Sequence, residues 1–280
     1  MQHRILTSAY SAGILICLLA VGACQLRHPV AVQPDTYQVT RAPDGVPDYN
    51  GIWQAMGSAH WDLEDHSARQ GPARILGALG AIPAGRSVVE GDTIPYQDWA
   101  LAQRQENLAN WVKLDPAVKC FMPGIPRATY MPFPFQFVQS KDAILVAYEF
   151  SSSSRVLHLN RPGSEAELDS WMGYSLGSFD GDTLVVDVTA QVPDTWFDSS
   201  GNFHSEELHV VERYTRTGPD TLHYEATIED PKVFTRPWKI SMPLYRRIEP
   251  GARILEFKCI EFGEYATYGE FYTEDEPTEE

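Results

Sequence analysis

Basic residues are scarce in this chain. Lys and Arg number 22 against 38 Asp and Glu, a formal net charge of −16, and no basic cluster interrupts the imbalance. A surface that repels phosphates lacks the electrostatic footprint of nucleic-acid binding. Four sequence signatures are also missing: the Gly-x-Ser-x-Gly elbow, the phosphate loop, the dinucleotide Gly-x-Gly-x-x-Gly fingerprint and the His-Glu-x-x-His zinc helix. Those absences exclude the familiar routes to acyl transfer, nucleotide chemistry and zinc hydrolysis. No cofactor or metal site is therefore expected, and any catalysis falls to side-chain acids and bases.

Cysteine is equally sparse, with four in 280 residues. The amino terminus explains two of them. His3 and Arg4 give a basic start, Ile14 to Val21 form a short apolar core, and Val21-Gly22-Ala23 place small residues ahead of Cys24. This is a lipoprotein-type export signal over residues 1–23, with Cys24 as the lipid-bearing first residue of the mature chain. An ordinary secretory signal or a membrane anchor is the alternative, but the run is too short and too broken by polar residues to span a bilayer comfortably. Gln25 in place of an acidic residue matches outer-membrane sorting. The expected location is the bacterial envelope, with the chain on the outer membrane facing the periplasm. Cys120 and Cys259 remain. Two thiols in an exported chain point to one disulfide closing a loop of about 140 residues, worth several kcal/mol in the chain-entropy model. Two buried free thiols are the other possibility.

Residues 24–47 are proline-bearing and aperiodic, a tether. Residues 48–272 read as one domain, and residues 273–280 as an acidic, disordered tail. Within the domain the one clear helical pattern spans 96–114, with Trp99, Leu101, Leu108, Trp111 and Val112 near one face. From Phe135 onward the chain reads as strands at short spacing. Turns at Asp180-Gly181-Asp182 and at Gly218-Pro219-Asp220 join runs rich in Val, Leu, Thr and Tyr. Residues 254–262 read as the final strand. The expected fold is all-β: an antiparallel up-and-down barrel of about ten strands, with one helix packed outside. Closure removes exposed edges directly. A β-sandwich is the alternative.

Two-residue alternation sorts the hairpin at 207–228 into two faces. Glu207, His209, Val211 and Arg213 share one, and Leu208, Val210, Glu212 and Tyr214 the other. The ionisable face is either a solvated exterior or the lining of a pocket, in which case His209 and Arg213 bind ligand. In the loop at 194–205, His204 with Asp198 is a candidate acid–base pair, against the plainer alternative of a surface His and a turn-capping Asp. Glu149 and Arg155 are a candidate ion pair, structural or substrate-orienting. Trp53, Trp171, Tyr174 and Trp196 offer flat apolar walls, although tryptophans also simply fill cores.

Gly51-Ile52-Trp53 resembles the opening of lipocalin-like barrels, in which the Trp plugs the closed end. A wider set resembles an uncharacterised family of exported bacterial proteins: Trp171 to Gly177, Gly181 to Val186, Asp194 to Asp198, Gly201 with His204-Ser205, Leu208 to Tyr214, and Glu229-Asp230-Pro231. That family carries Trp-Glu where this chain has Phe179-Asp180. The resemblance implies export and no particular reaction. The expected function is binding of a small, largely apolar or aromatic ligand inside the barrel. One form is a cofactor-free lyase, dehydratase or isomerase using His204, Asp198, Glu149 and Arg155. The alternative is a non-catalytic binder or carrier of lipophilic molecules.

Overall fold

The computed structural model describes residues 37–72 and 74–259. The export signal, Cys24, most of the tether and the acidic tail lie outside the described residues. Nine strands close into a barrel in sequence order. They are β1 (Gly51–Ala55), β2 (Phe135–Gln139), β3 (Ala143–Tyr148), β4 (Ser154–His158), β5 (Tyr174–Asp180), β6 (Thr183–Thr189), β7 (His209–Gly218), β8 (Thr221–Glu229) and β9 (Trp238–Arg246).

Every neighbouring pair is antiparallel except β4 and β5, which run parallel with Leu157 opposite Ser175 and His158 opposite Leu176. This corrects the wholly antiparallel expectation, and parity supplies the reason. An odd number of strands cannot close with every neighbour reversed, so one joint must be parallel. Residues 159–173 return along the wall before β5 starts, which puts the parallel joint there and leaves β9 antiparallel to β1. The expected last strand also needs correction. Residues 254–259 adopt no strand, and the remainder of that stretch lies outside the described residues.

Alternation fills the interior. On β7 and β8, Val210, Glu212, Tyr214, Leu222, Tyr224, Ala226 and Ile228 are buried, while the intervening side chains face outward. At the β5–β6 hairpin Gly181 has φ +60°, the left-handed angle that a two-residue turn requires and a Cβ disfavours.

The two ends are closed differently. At one, Trp53 is fully buried, its Nε1 donates to Tyr49 O at 3.1 Å, and the Arg216 guanidinium lies 5.5 Å from its ring centroid. The tryptophan thus plugs this end, and the Tyr49 hydroxyl locks it by accepting from Leu184 N at 3.0 Å and donating to Tyr214 O at 2.5 Å. The other end is roofed by the long β1–β2 connection together with residues 190–208. A single helical turn, α3 (Arg127–Tyr130), enters the mouth with all four residues buried. From it Tyr130 donates to Phe197 O at 2.8 Å, and Thr129 Oγ1 lies 3.2 Å from the Tyr214 hydroxyl.

The expected helix at 96–114 forms as α1 (Asp98–Ala109) and α2 (Trp111–Leu114). Pro95 precedes it and Asp98 favours its first turn. Its buried face differs from the expected one. Trp99 and Leu101 are 54% and 44% exposed, whereas Ala100 and Asn107 are buried against the roof. Small and polar side chains win there because α1 lies tight on the backbone of Gly201. A Cβ at Gly201 would sit 2.7 Å from Leu108 N, and Asn107 Nδ2 donates to Gly201 O at 3.2 Å.

Candidate functional site

The barrel interior holds charge. Arg155 on β4 and Glu212 on β7 both point inward, and Arg155 Nη1 lies 2.7 Å from Glu212 Oε2 with both side chains almost wholly buried. The other carboxylate oxygen accepts from Tyr214 at 2.9 Å and Tyr224 at 2.8 Å. Arg155 also donates to the hydroxyls of Tyr148 at 3.0 Å, Tyr214 at 3.2 Å and Ser175 at 3.3 Å. Burial opposes the charge on Arg155, but Glu212 beside it leaves the guanidinium more strongly basic than usual. Burial pushes the Tyr148 hydroxyl up to about 12 and those of Tyr214 and Tyr224 well above their ordinary range. Hydrogen bonds and the ion pair link these groups into one buried network.

This arrangement corrects the expected Glu149–Arg155 pair. Glu149 stands outside the barrel, where its Oε2 accepts the amide of Leu255 at 2.9 Å. Glu149 follows the inward Tyr148 past the end of β3 and turns outward, whereas Arg155 holds an inward position on β4.

His204 and Asp198 are both buried, and they do not meet. His204 Nδ1 lies 2.8 Å from Ser205 O, so that nitrogen carries the proton and donates. Its Nε2 then accepts from Thr195 Oγ1 at 2.6 Å. Burial lowers its pKa, which keeps the ring neutral. Asp198 is a bracket within the roof. One oxygen accepts Leu63 N at 2.8 Å and Asn202 Nδ2 at 2.6 Å, and the other accepts Ser200 N at 2.9 Å. Burial, and then the nearby Asp62, raise its pKa to about 7 against those donors.

The polar face of the β7–β8 hairpin is exterior, the first of its two expected readings. His209 Nε2 lies 3.0 Å from Asp187, and Arg213 donates to Asp180 at 2.8 Å, both in half-exposed pairs. The four expected aromatic walls are scattered. Trp53 plugs the far end, Trp171 stacks on Phe121 at 4.7 Å, Tyr174 lies 5.1 Å from the His158 ring outside the barrel, and Trp196 is buried in the roof beside Phe203. They share no cavity.

The cavity with aromatic walls lies elsewhere, between the roof and the barrel rim. Its volume is about 480 Å³, within the range of small-molecule sites. Trp61 and Trp111 meet edge to face at 5.9 Å on one side. Phe133, Phe150 and Phe257 form a cluster on the other, with centroids 4.9 to 5.6 Å apart. At its base Arg127 forms a two-pronged bond with Asp115, at 2.7 and 2.8 Å. Ser199 Oγ accepts from Arg127 at 3.0 Å and donates to Asp115 at 3.0 Å. His60 lines the same hollow. Burial, and then the charge of Arg127, lower its pKa to about 4, so the ring is neutral at pH 7, and its Nδ1 is buried without a partner. The base thus offers fixed dipoles and a paired guanidinium under apolar walls.

No protein-family model matches the chain, and no curated protein matches it.

A second hollow of about 450 Å³ beside β4 and β5 is floored by Leu176 and Phe179 and rimmed by His158, Arg161 and Lys141. It lacks the convergent buried polar groups of the first. Among the described residues no group of three or more His, Cys, Asp or Glu is placed to hold a metal ion. The disulfide between Cys120 and Cys259 is formed, with Cα atoms 5.6 Å apart, and Cys259 borders the aromatic cavity.

Sequence reasoning missed this cavity because most of its walls come from segments without periodicity. Trp61 lies in the irregular β1–β2 connection, Phe133 among prolines before β2, and Phe257 in the segment expected as the last strand. The one available signal was that Cys120 and Cys259, if paired, must bring the last two of those regions together.

Proposed function

We propose that this chain is an envelope lipoprotein, held to the membrane through lipid on Cys24, that binds a small, largely apolar or aromatic ligand without transforming it. The observation that carries the reading is the hollow between Trp61, Trp111 and the Phe133–Phe150–Phe257 cluster, with Arg127, Asp115, Ser199 and His60 at its base. Apolar walls around a few convergent polar groups are the usual make-up of a small-molecule site. Aromatic side chains also give large contact areas with little rotamer entropy to lose.

The binder reading is preferred to the acid–base enzyme for a chemical reason. A general base works best when its pKa lies near the operating pH. His60, with a pKa of about 4, is a weak base, and His204 and Asp198 are saturated by other partners. The ligand site is accordingly placed at the rim, and the lumen is assigned to stability.

The test is extraction of bound molecules. The mature protein, purified gently from cell envelopes, is extracted with organic solvent and analysed by mass spectrometry beside a Trp111→Ala, Phe133→Ala variant. The reading expects an apolar or aromatic compound enriched in the wild-type extract and depleted in the variant. Identical extracts from both would contradict it.

A further inference from the structure

Residues 247–259, which follow β9, form a strap with few attachments among the described residues. Arg247 N still donates to Ile52 O at 2.9 Å, extending the β1–β9 edge by one bond. From 253 to 259, among the described residues, one backbone hydrogen bond holds the strap to the barrel, that of Leu255 N to Glu149 Oε2. Leu255 itself is 53% exposed. One ring is docked: Phe257, which meets Phe133 at 5.2 Å and Phe150 at 4.9 Å. Then comes the covalent bond of Cys259 to Cys120. Cys120 ends the turn that follows α2, with φ +64°, a left-handed backbone held there by its surroundings. Few contacts and a covalent end are the marks of a segment that opens locally when that end is released.

What the strap covers gives this attachment a use. Phe257, Lys258 and Cys259 all border the aromatic cavity, and Phe257 completes one of its two walls. Cys259 is exposed, so a thiol can reach the bond from solvent.

We infer that the Cys120–Cys259 disulfide is a redox buckle for the ligand pocket: closed, it holds Phe257 and Lys258 over the site, and reduced by a dithiol, it frees the strap and releases the ligand. The inference rests on the pocket being the ligand site. The chemistry is thiol–disulfide exchange. A thiolate of the dithiol attacks one sulfur and expels the other cysteine as thiolate, giving a mixed disulfide. The second thiol of the reductant then attacks that bond. Cys120 and Cys259 end as thiols, each with one proton taken from the dithiol, and the dithiol ends as a disulfide, two electrons poorer.

Two measurements on the full mature chain test it. The first needs no ligand: amide hydrogen exchange before and after treatment with dithiothreitol. At least tenfold faster exchange at 254–259, with strands β1–β9 unchanged, is expected. Unchanged exchange in the strap would overturn the inference, as would an equal loss of protection in the strands. The second is titration with the neutral fluorescent probe N-phenyl-1-naphthylamine. Reduction, and separately Cys120→Ser with Cys259→Ser, is expected to weaken binding at least tenfold. Phe257→Ala, which keeps the disulfide, is expected to weaken it to a similar degree. Equal affinity in the oxidised and reduced protein overturns the buckle while leaving the pocket reading in place. Absence of probe binding to the oxidised protein contradicts the pocket reading, and the exchange measurement then decides on the strap alone.

Discussion

Arg155 and Glu212 face each other across the barrel interior, Nη1 to Oε2 at 2.7 Å, with both side chains sealed from water. Each reaches the lumen because it occupies an inward position of its strand, and among the described residues neither has another salt-bridge partner. Removing one partner of such a pair leaves the other charge buried, which costs more than the pair contributes. Glu212→Gln is therefore expected to lower the unfolding free energy by roughly 3–5 kcal/mol. Joint replacement by Met and Leu should cost less than the sum of the single changes. Urea unfolding of the wild type, Glu212→Gln, Arg155→Met, Glu212→Leu and the double variant measures both. A loss below about 1 kcal/mol in Glu212→Gln would show that water reaches the pair.

His60 ties stability to pH on the acid side. Its pKa in the folded protein, about 4, lies below the ordinary 6.5 because burial, and then Arg127, disfavour the imidazolium. For a base held neutral, the stabilising contribution is complete above 6.5 and is lost as the pH falls towards 4. The loss across that window is roughly 3 kcal/mol. His204 shifts in the same direction, so the comparison isolates one ring. His60→Gln is expected to retain more of its stability between pH 6.5 and 4 than the wild type does. Parallel pH profiles would show that His60 is solvated.

Asp198 acts with the opposite sign. Burial and Asp62 raise its folded pKa to about 7 from the ordinary 3.8. The folded protein holds this proton more tightly than the unfolded chain does. Its contribution is complete below 3.8 and is lost as the pH rises through 7. Asp62→Asn removes the second cause of the shift and should flatten the fall in stability between pH 5 and 7. Chemical denaturation across that range measures the slope, and an unaltered slope would contradict the assignment.

Much of the architecture was legible in the residues. The alternation of Leu208, Val210, Glu212 and Tyr214 correctly separated the two faces of β7, and the stretch Gly51-Ile52-Trp53 is the first strand, with its tryptophan fully buried. The parallel joint was not legible, because nothing local to β4 or β5 states how many strands close the barrel. The inward Glu212 was sorted to its face, but its partner Arg155 comes from a distant strand whose neighbours are decided by closure. The pocket was least legible. Trp111 sits on the expected helix, but Trp61, Phe133 and Phe257 come from separate irregular segments, and periodicity carries no information about where such segments meet.

At Gly201 in the roof an added side chain has no room. Gly201 has φ +81°, and an added Cβ would lie 2.7 Å from Leu108 N and 2.8 Å from Arg104 O. Gly201→Ala is expected to cost roughly 2–4 kcal/mol, from the left-handed backbone and the forced displacement of α1. Hydrogen exchange should localise the loss to α1 and residues 198–203. Thermal unfolding unchanged from the wild type would show that α1 is not seated as described.

The proposed ligand site is the rim cavity and not the lumen. Fluorescence titration with N-phenyl-1-naphthylamine tests it most directly, using the oxidised wild type, Trp111→Ala at the rim and Val186→Ala in the lumen. Saturable binding is expected, weakened at least tenfold by Trp111→Ala and left within twofold by Val186→Ala. Binding unaffected by Trp111→Ala but lost with Val186→Ala would contradict it.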